Sequence, residues 1–327
     1  MKLSVLEQSS LSEGSSAAEA ISNTVALSKE LDRMGYNRIW LSEHHNLNIL
    51  QGSTPEVLLA AIGAQTTRIR LGSGGVMLPN HSAYHIAENS RTLEALYPGR
   101  VDCGIGRASG GDSYSRSLLM PTTDAWGDFT DQADQLAGFF HDTCKRAFAM
   151  PLIASAPPIW LLSAGSNAAS GKLAAEKGMG LAVALFINPD ASAEAVRYYK
   201  QNFRPSKEFP EPRVMIAVNA VIAATPEKLQ ERKKITDFLR LMRDSGRYPT
   251  SVPAPETMKG IHFGAKEEDY LARIANREVA GLPSEAKKQI LERAKNYDAD
   301  EVLLTMTTYK LSDKIESYRL LAEAFSL

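Results

Sequence analysis

The stretch IWLSEHHNL (39–47) carries an apolar run into Glu43, His44 and His45, in a chain of 327 residues that has six histidines. A carboxylate beside two imidazoles can give and take protons near neutral pH, because the ordinary histidine pKa lies near 6.5. Three other stretches end in the same manner, with an apolar run closing on residues unusual for a strand. LGSGG places glycine at 72, 74 and 75, and DCGIGR ends on Gly104, Gly106 and Arg107. LLSAGSN runs into Ser166 and Asn167. Glycines at 74, 75, 104 and 106 on neighbouring strands would remove Cβ atoms and leave room for a flat ring against the backbone. Arg107 would add a fork-shaped cation suited to phosphate. The stretch 166–170 opens a helix and would offer free N–H groups, a positive dipole end and hydroxyls, although plain N-capping uses Ser166 and Asn167 equally well. A ring together with a phosphate points to flavin mononucleotide, FMN.

Other chemistries are absent or disfavoured. There is no HExxH and no GxSxG, and GIGRASG (104–110) has the wrong spacing for a dinucleotide turn. GSNAASGK (165–172) has one residue too many between its glycines for a P-loop, and Leu173 stands where serine or threonine should follow the lysine. The 37 basic and 38 acidic residues balance to −1, and no stretch concentrates Lys and Arg on the scale of nucleic-acid binding. Cys103 and Cys144 form no metal spacing and no disulfide framework, which fits a reducing compartment. MKLSVLEQSS lacks a signal-peptide apolar stretch, and no run approaches the roughly 18 apolar residues of a membrane span. A cytoplasmic protein that binds neither membrane nor nucleic acid is expected.

The elements that must position these residues alternate. Strands are expected at 3–7, 38–42, 69–78, from 100, at 159–163, 180–186, 214–224 and from 300. Helices are expected at 17–34, 54–65 and 83–96, within 124–141, after the next three strands, and from Ser312, read as an N-cap. Eight βα units whose strands are apolar on both faces suit a closed parallel TIM (β/α)8 barrel, one domain over 1–327. A proline-rich insertion at about 245–283, between the seventh and eighth strands, reads as a binding element at the barrel mouth. All four unusual strand ends then meet at that mouth, where barrels keep their chemistry. On a strand, neighbours point to opposite faces, so one of His44 and His45 should serve the site and the other should pack.

LSEHHN, LGSGGVMLPNHSAYHIAENSRTLEALYPGR, DCGIGRASGGD and SAGSNAASGKLAAEKG, in this order, resemble the bacterial luciferase-like, flavin-dependent monooxygenases. The likeness extends through GLPSEAKKQILERAKNYDADEVLLTM. It implies a TIM barrel that oxidises a small organic substrate with oxygen and reduced FMN supplied by a separate flavin reductase. His44 takes the place of the active-site histidine, and Glu43 that of a residue beside the flavin. Gly74 and Gly75 match a pair joined by a non-proline cis peptide under the ring. Arg107, Ser166, Asn167 and Ser170 match phosphate contacts. Relatives pair through helices beside the second and third strands, and the expected helix 54–65 carries Val57, Leu58, Ala60, Ala61 and Ile62, so a homodimer is expected. Two features depart from the pattern. Gly106 stands where luciferase has a reactive cysteine, and Ala83, Tyr84 and His85 stand where near relatives show proline, leucine and a basic residue. Two alternatives accompany the monooxygenase reading: a flavin-binding protein without turnover, and a hydride-transferring enzyme that uses a deazaflavin.

Overall fold

A computed structural model describes residues 1–120, 128–164 and 169–327. Its strands are β1 (Lys2–Glu7), β2 (Arg38–Leu41), β3 (Arg70–Ser73), β4 (Val76–Met77), β5 (Val101–Gly106), β6 (Ile159–Ser163), β7 (Gly180–Ala184), β8 (Val214–Ile222), β9 (Val279–Gly281) and β10 (Glu301–Thr305). The helices are α1 (Ala17–Met34), α2 (Pro55–Gly63), α3 (Ala83–Leu96), α4 (Ser113–Leu119), α5 (Phe129–Phe140), α6 (Ala169–Lys177), α7 (Ala193–Asn202), α8 (Pro226–Asp244), α9 (Pro255–Lys259), α10 (Ala265–Arg273), α11 (Pro283–Asn296) and α12 (Leu311–Phe325). Strands β1, β2, β3, β5, β6, β7, β8 and β10 pair in parallel, and the β8–β10 and β10–β1 pairings close the sheet into a TIM barrel.

Local sequence explains the helix bounds best where caps are strong. Ser16 and Glu19 form a reciprocal capping box at the start of α1, and Gly35 ends it in the left-handed region at φ 87°. The expected N-cap at Ser312 is not used. Helix α12 starts one residue earlier, with Lys310 in the cap position and no side-chain cap bond. Its register is tied instead by Lys314, whose Nζ donates to both oxygens of buried Glu7 at 3.0 Å.

The expected third strand, 69–78, is broken in two. The Gly74–Gly75 peptide is cis. The step from Leu71 to Val76 is one residue longer than the step it faces on β5, from Val101 to Ile105, which makes a bulge.

The glycines beside that bulge do not clear space for a ligand, as the sequence suggested. A Cβ on Gly74 would lie 2.7 Å from Leu6 Cδ1 and 2.8 Å from Trp40 Cβ, and one on Gly75 would lie 2.8 Å from the Gly104 carbonyl oxygen. At Gly104 and Gly106 the same space belongs to the Ser73 carbonyl and the Met77 methyl. The physical reason is the barrel interior, where Trp40 and Trp160 meet edge to face at 5.9 Å between centroids and pack with Leu6, Met215 and Leu303. These indoles take the side-chain space of Gly72, Gly74 and Gly180, while Gly75 and Gly104 press against backbone carbonyls and Gly106 against Met77. Below them a buried ion cluster fills the opposite end of the barrel, with Arg38 bridging Asp102 and Glu301 at 2.7 Å each.

The insertion 245–283 is an ordered cap, not a bare loop. It contains α9, α10 and β9, and β9 extends the sheet by pairing in parallel with the last turn of β8, Ala220↔Val279 to Ile222↔Gly281. Val252 is fully buried and exchanges backbone bonds with the loop after β1, through Leu11 at 2.8 Å and Glu13 at 2.9 Å. Glu13 also accepts from Ala254 N at 2.7 Å. These ties fix the insertion over the C-terminal strand ends. Among the described residues no helix is long and apolar enough to cross a membrane.

Candidate active site at the barrel mouth

The C-terminal strand ends and the cap enclose a cavity of about 480 Å³. Gln8 reaches it from the end of β1, His44 from the loop after β2, and Thr305 from β10. Helix α8 and the insertion supply Arg240, Tyr248 and Tyr270 from above.

Strand β2 ends at Leu41, so Glu43, His44 and His45 lie in a loop and strand alternation does not set their directions. Interlocking backbone bonds do. His44 N donates to the Gly52 carbonyl and His45 N to the Gly110 carbonyl, both at 2.9 Å. His44 faces the cavity with its Nε2 3.3 Å from Gln8 Nε2, so the amide donates and the imidazole nitrogen accepts. Burial lowers the His44 pKa from its ordinary value, and a second histidine nearby adds to this. The Gly110 carbonyl and Glu43 act in the opposite direction but do not overcome it. The ring is therefore neutral at pH 7, with a lone pair at the cavity.

His45 turns away and meets Glu43, Nε2 to Oε1 at 2.7 Å. Glu43 is 1% exposed and is absent from the cavity lining. It also takes His81 Nε2 at 2.9 Å, Met77 N at 2.8 Å and Asn80 Nδ2 at 3.2 Å. Burial alone would raise its pKa, but His81 and the other donors hold it below the ordinary carboxylate value. In this arrangement Glu43 is the anchor that ties the β2 loop to the segment after the cis peptide.

Arg107 follows β5 directly and is exposed, with its guanidinium 5.1 Å over the Phe129 ring. Among the described residues it makes no ion pair. Strands β5 and β6 are neighbours, and α6, where Ser170 is half-buried, follows β6 in the chain. Ser166 and Asn167 lie outside the described residues. An unpaired guanidinium, a helix start and a hydroxyl on adjacent strand ends suit a phosphate in charge and in hydrogen-bonding type.

The mouth thus unites His44 with Gln8, and sets Glu43 behind them and Arg107 on a separate strand end. Three participants escaped the sequence reading. Gln8 stands one residue past the end of β1, where the strand-end rule would have found it. His81 lies inside the stretch LGSGGVMLPNHSAYH, but no spacing there marks it as a partner of Glu43. Arg240 sits in an amphipathic helix rich in charge, which gives no hint of its burial.

A closed (β/α)8 barrel with proton-handling side chains at the C-terminal mouth defines an enzyme-type scaffold. The family model described as luciferase-like monooxygenase matches residues 1–300, and the chain belongs to that family. It is 41% identical to the uncharacterized protein YwcH of Bacillus subtilis (strain 168), with 100% of this chain and 99% of the relative covered. It is 30% identical to the N-acetyl-S-alkylcysteine monooxygenase of the same organism, with 99% and 98% covered. The crystal structure of apo-MsnO8 superimposes with a TM-score of 0.90 at 33% identity, covering 100% of this chain and 98% of the other. Two more distant structures share the fold alone. One is the oxygenating constituent of 3,6-diketocamphane monooxygenase from Pseudomonas putida in complex with FMN, with a TM-score of 0.71 at 16% identity over 99% and 97% of the two chains. The other is an F420-dependent secondary alcohol dehydrogenase in complex with an F420-acetone adduct, with a TM-score of 0.71 at 12% identity over 99% and 98%.

Proposed function

We propose that the protein is the oxygenase of a two-component, flavin-dependent monooxygenase that acts on a small organic substrate with reduced FMN from a separate reductase. The observation that carries this is His44, a neutral imidazole that lines the mouth cavity with its accepting nitrogen beside the Gln8 amide. Family membership and the FMN-bound oxygenating constituent on the same fold support the choice of cofactor and partner.

Arg107, Ser170 and the start of α6 would hold the FMN phosphate, with Ser166 and Asn167 assigned to the same contact. Gly74 and Gly75 would present backbone toward the ring, since their side-chain positions are occupied by protein, and Glu43 would hold the β2 loop beside it. Bound there, reduced flavin supplies the two electrons with which molecular oxygen is split, one atom entering the substrate and the other leaving as water. His44 takes a proton at Nε2 and returns it, a role matched to a pKa below 6.5 at neutral pH. Gln8 orients that nitrogen. The cap residues Tyr248 and Tyr270 line the cavity from the other side.

The test is a screen of purified protein with FMN, oxygen and a supplied flavin reductase. It begins with thioethers of the kind named for the 30% identical relative and follows loss of substrate. Consumption matched to incorporation of one oxygen atom is expected. Release of hydrogen peroxide with every substrate unchanged would favour a flavin-binding protein without turnover. Oxygen-independent turnover with reduced F420 would replace FMN by the deazaflavin.

A further inference from the structure

Arg240 is a cavity group that the chemistry at His44 does not use. It lies on α8, lines the mouth cavity and is 7% exposed. Its Nη2 donates to Glu278 Oε2 at 2.5 Å, but its Nη1 is buried with no hydrogen-bond partner among the described residues. Glu278 cannot turn to serve it, because its other oxygen accepts from Lys233 Nζ at 3.0 Å. The neighbouring acids are also engaged. Asp237 holds Lys233 at 2.8 Å, and Asp244 accepts from Arg243 at 3.1 Å and from the Tyr270 hydroxyl at 2.7 Å. Arg277, a further cation in the lining, stands 3.7 Å from Asp190, which is 83% exposed and largely screened by water. A buried cationic N–H without an acceptor is costly unless a ligand completes it. Much of the remaining lining is apolar, including Leu47, Ile49, Leu185 and Phe186.

We propose that the Arg240 guanidinium, which has a nitrogen without an acceptor among the described residues, takes the carboxylate of the substrate, which makes small carboxylic acids with an apolar body the class that this cavity accepts. The oxidation of such acids rests on the monooxygenase reading; their binding does not. A charge-assisted bond in a desolvated site discriminates the acid from its neutral amide by about tenfold or more.

The experiment is isothermal titration of flavin-free protein with hexanoate and with hexanamide, so turnover plays no part in the result. Hexanoate is expected to bind at least about tenfold more tightly than hexanamide, and Arg240→Gln to bind both alike. Arg107→Gln should keep the preference, which separates this site from the phosphate contact. Glu278→Gln frees Nη2 and removes a negative charge, so it should tighten hexanoate several-fold and leave hexanamide unchanged. A purely structural role for Arg240 does not give that gain, and the Glu278 variant decides the matter even if Arg240→Gln fails to fold. Failure of hexanoate to bind, equal binding of the two probes, a preference that survives Arg240→Gln, or no gain in Glu278→Gln would overturn the proposal. Loss of substrate oxidation with the binding preference intact would count against the monooxygenase reading alone.

Discussion

At the scale of the residue, the position of His44 at the end of a tied-down loop sets its protonation. Burial lowers its pKa below the ordinary 6.5 more than the Gly110 carbonyl and Glu43 raise it, so the base form is present at neutral pH. Activity that needs this form should rise with pH through a midpoint below the ordinary histidine value, as read from kcat/KM against pH. Replacing Gln8 by Leu removes a donor to the neutral ring and should move that midpoint upward. Arg107→Ala should weaken FMN binding by roughly tenfold to 150-fold and leave riboflavin, which lacks the phosphate, unchanged; equal weakening of both in equilibrium dialysis would point to folding instead. His44 and Arg107 were legible because each follows an apolar run that must end at the barrel mouth. The space beside the glycines was misread for a physical reason, since a missing Cβ shows in sequence while the atoms that fill its place do not. They are Leu6 and Trp40 at Gly74, carbonyls at Gly75 and Gly104, and the Met77 methyl at Gly106.

At the scale of the element, the loop after β2 and the segment after the cis peptide are held as one unit by Glu43, His45 and His81. The pH dependence of that unit has two flanks. His81 has a raised pKa, since Glu43 and Glu56 outweigh the effect of its burial; its stabilisation is complete below the unfolded value near 6.5 and is lost as pH rises through the higher folded value. Glu43 is depressed; its stabilisation is complete above the unfolded value near 4.5 and is lost as pH falls through the lower folded value. His81→Asn should flatten the alkaline flank in denaturant titrations between pH 6 and 9. His45→Ala leaves a buried carboxylate short of one donor and should cost about 1–3 kcal/mol, with less effect on turnover per folded molecule. The alternation of apolar runs placed all eight barrel strands, and helices α1 and α3 have the bounds expected. The cap was less legible. Its prolines mark breaks in regular structure, yet α9 and α10 fit between them, and β9 exists because β8 offers an edge beyond the barrel that no local pattern announces.

At the scale of the whole molecule, the two ends of the barrel divide the work. The end opposite the mouth is held by buried charges. Among the described residues, Arg38→Met would leave Glu301 without a cation and Asp102 with Arg70 alone, two carboxylates each at most 3% exposed. A loss of about 3–5 kcal/mol is expected from chemical denaturation. On the outside, Val57 is 71% exposed on α2 and Leu96 57% exposed near the end of α3, while Ile62 of the same expected face belongs to the core. Pairing through α2 and α3 should give a sedimentation mass of twice 35.7 kDa, and Val57→Glu should return the single-chain mass. The mouth carries the central claim that His44 moves the proton in an oxygen-inserting reaction, and turnover under isotopically labelled oxygen tests it most directly. With a flavin reductase supplied, the wild type should place one labelled atom in each substrate molecule consumed. His44→Ala should do so at least about a hundredfold more slowly, with FMN affinity within about threefold of the wild type. Near wild-type turnover in His44→Ala with collapse in a folded His45→Ala, or a product free of label, would contradict the account.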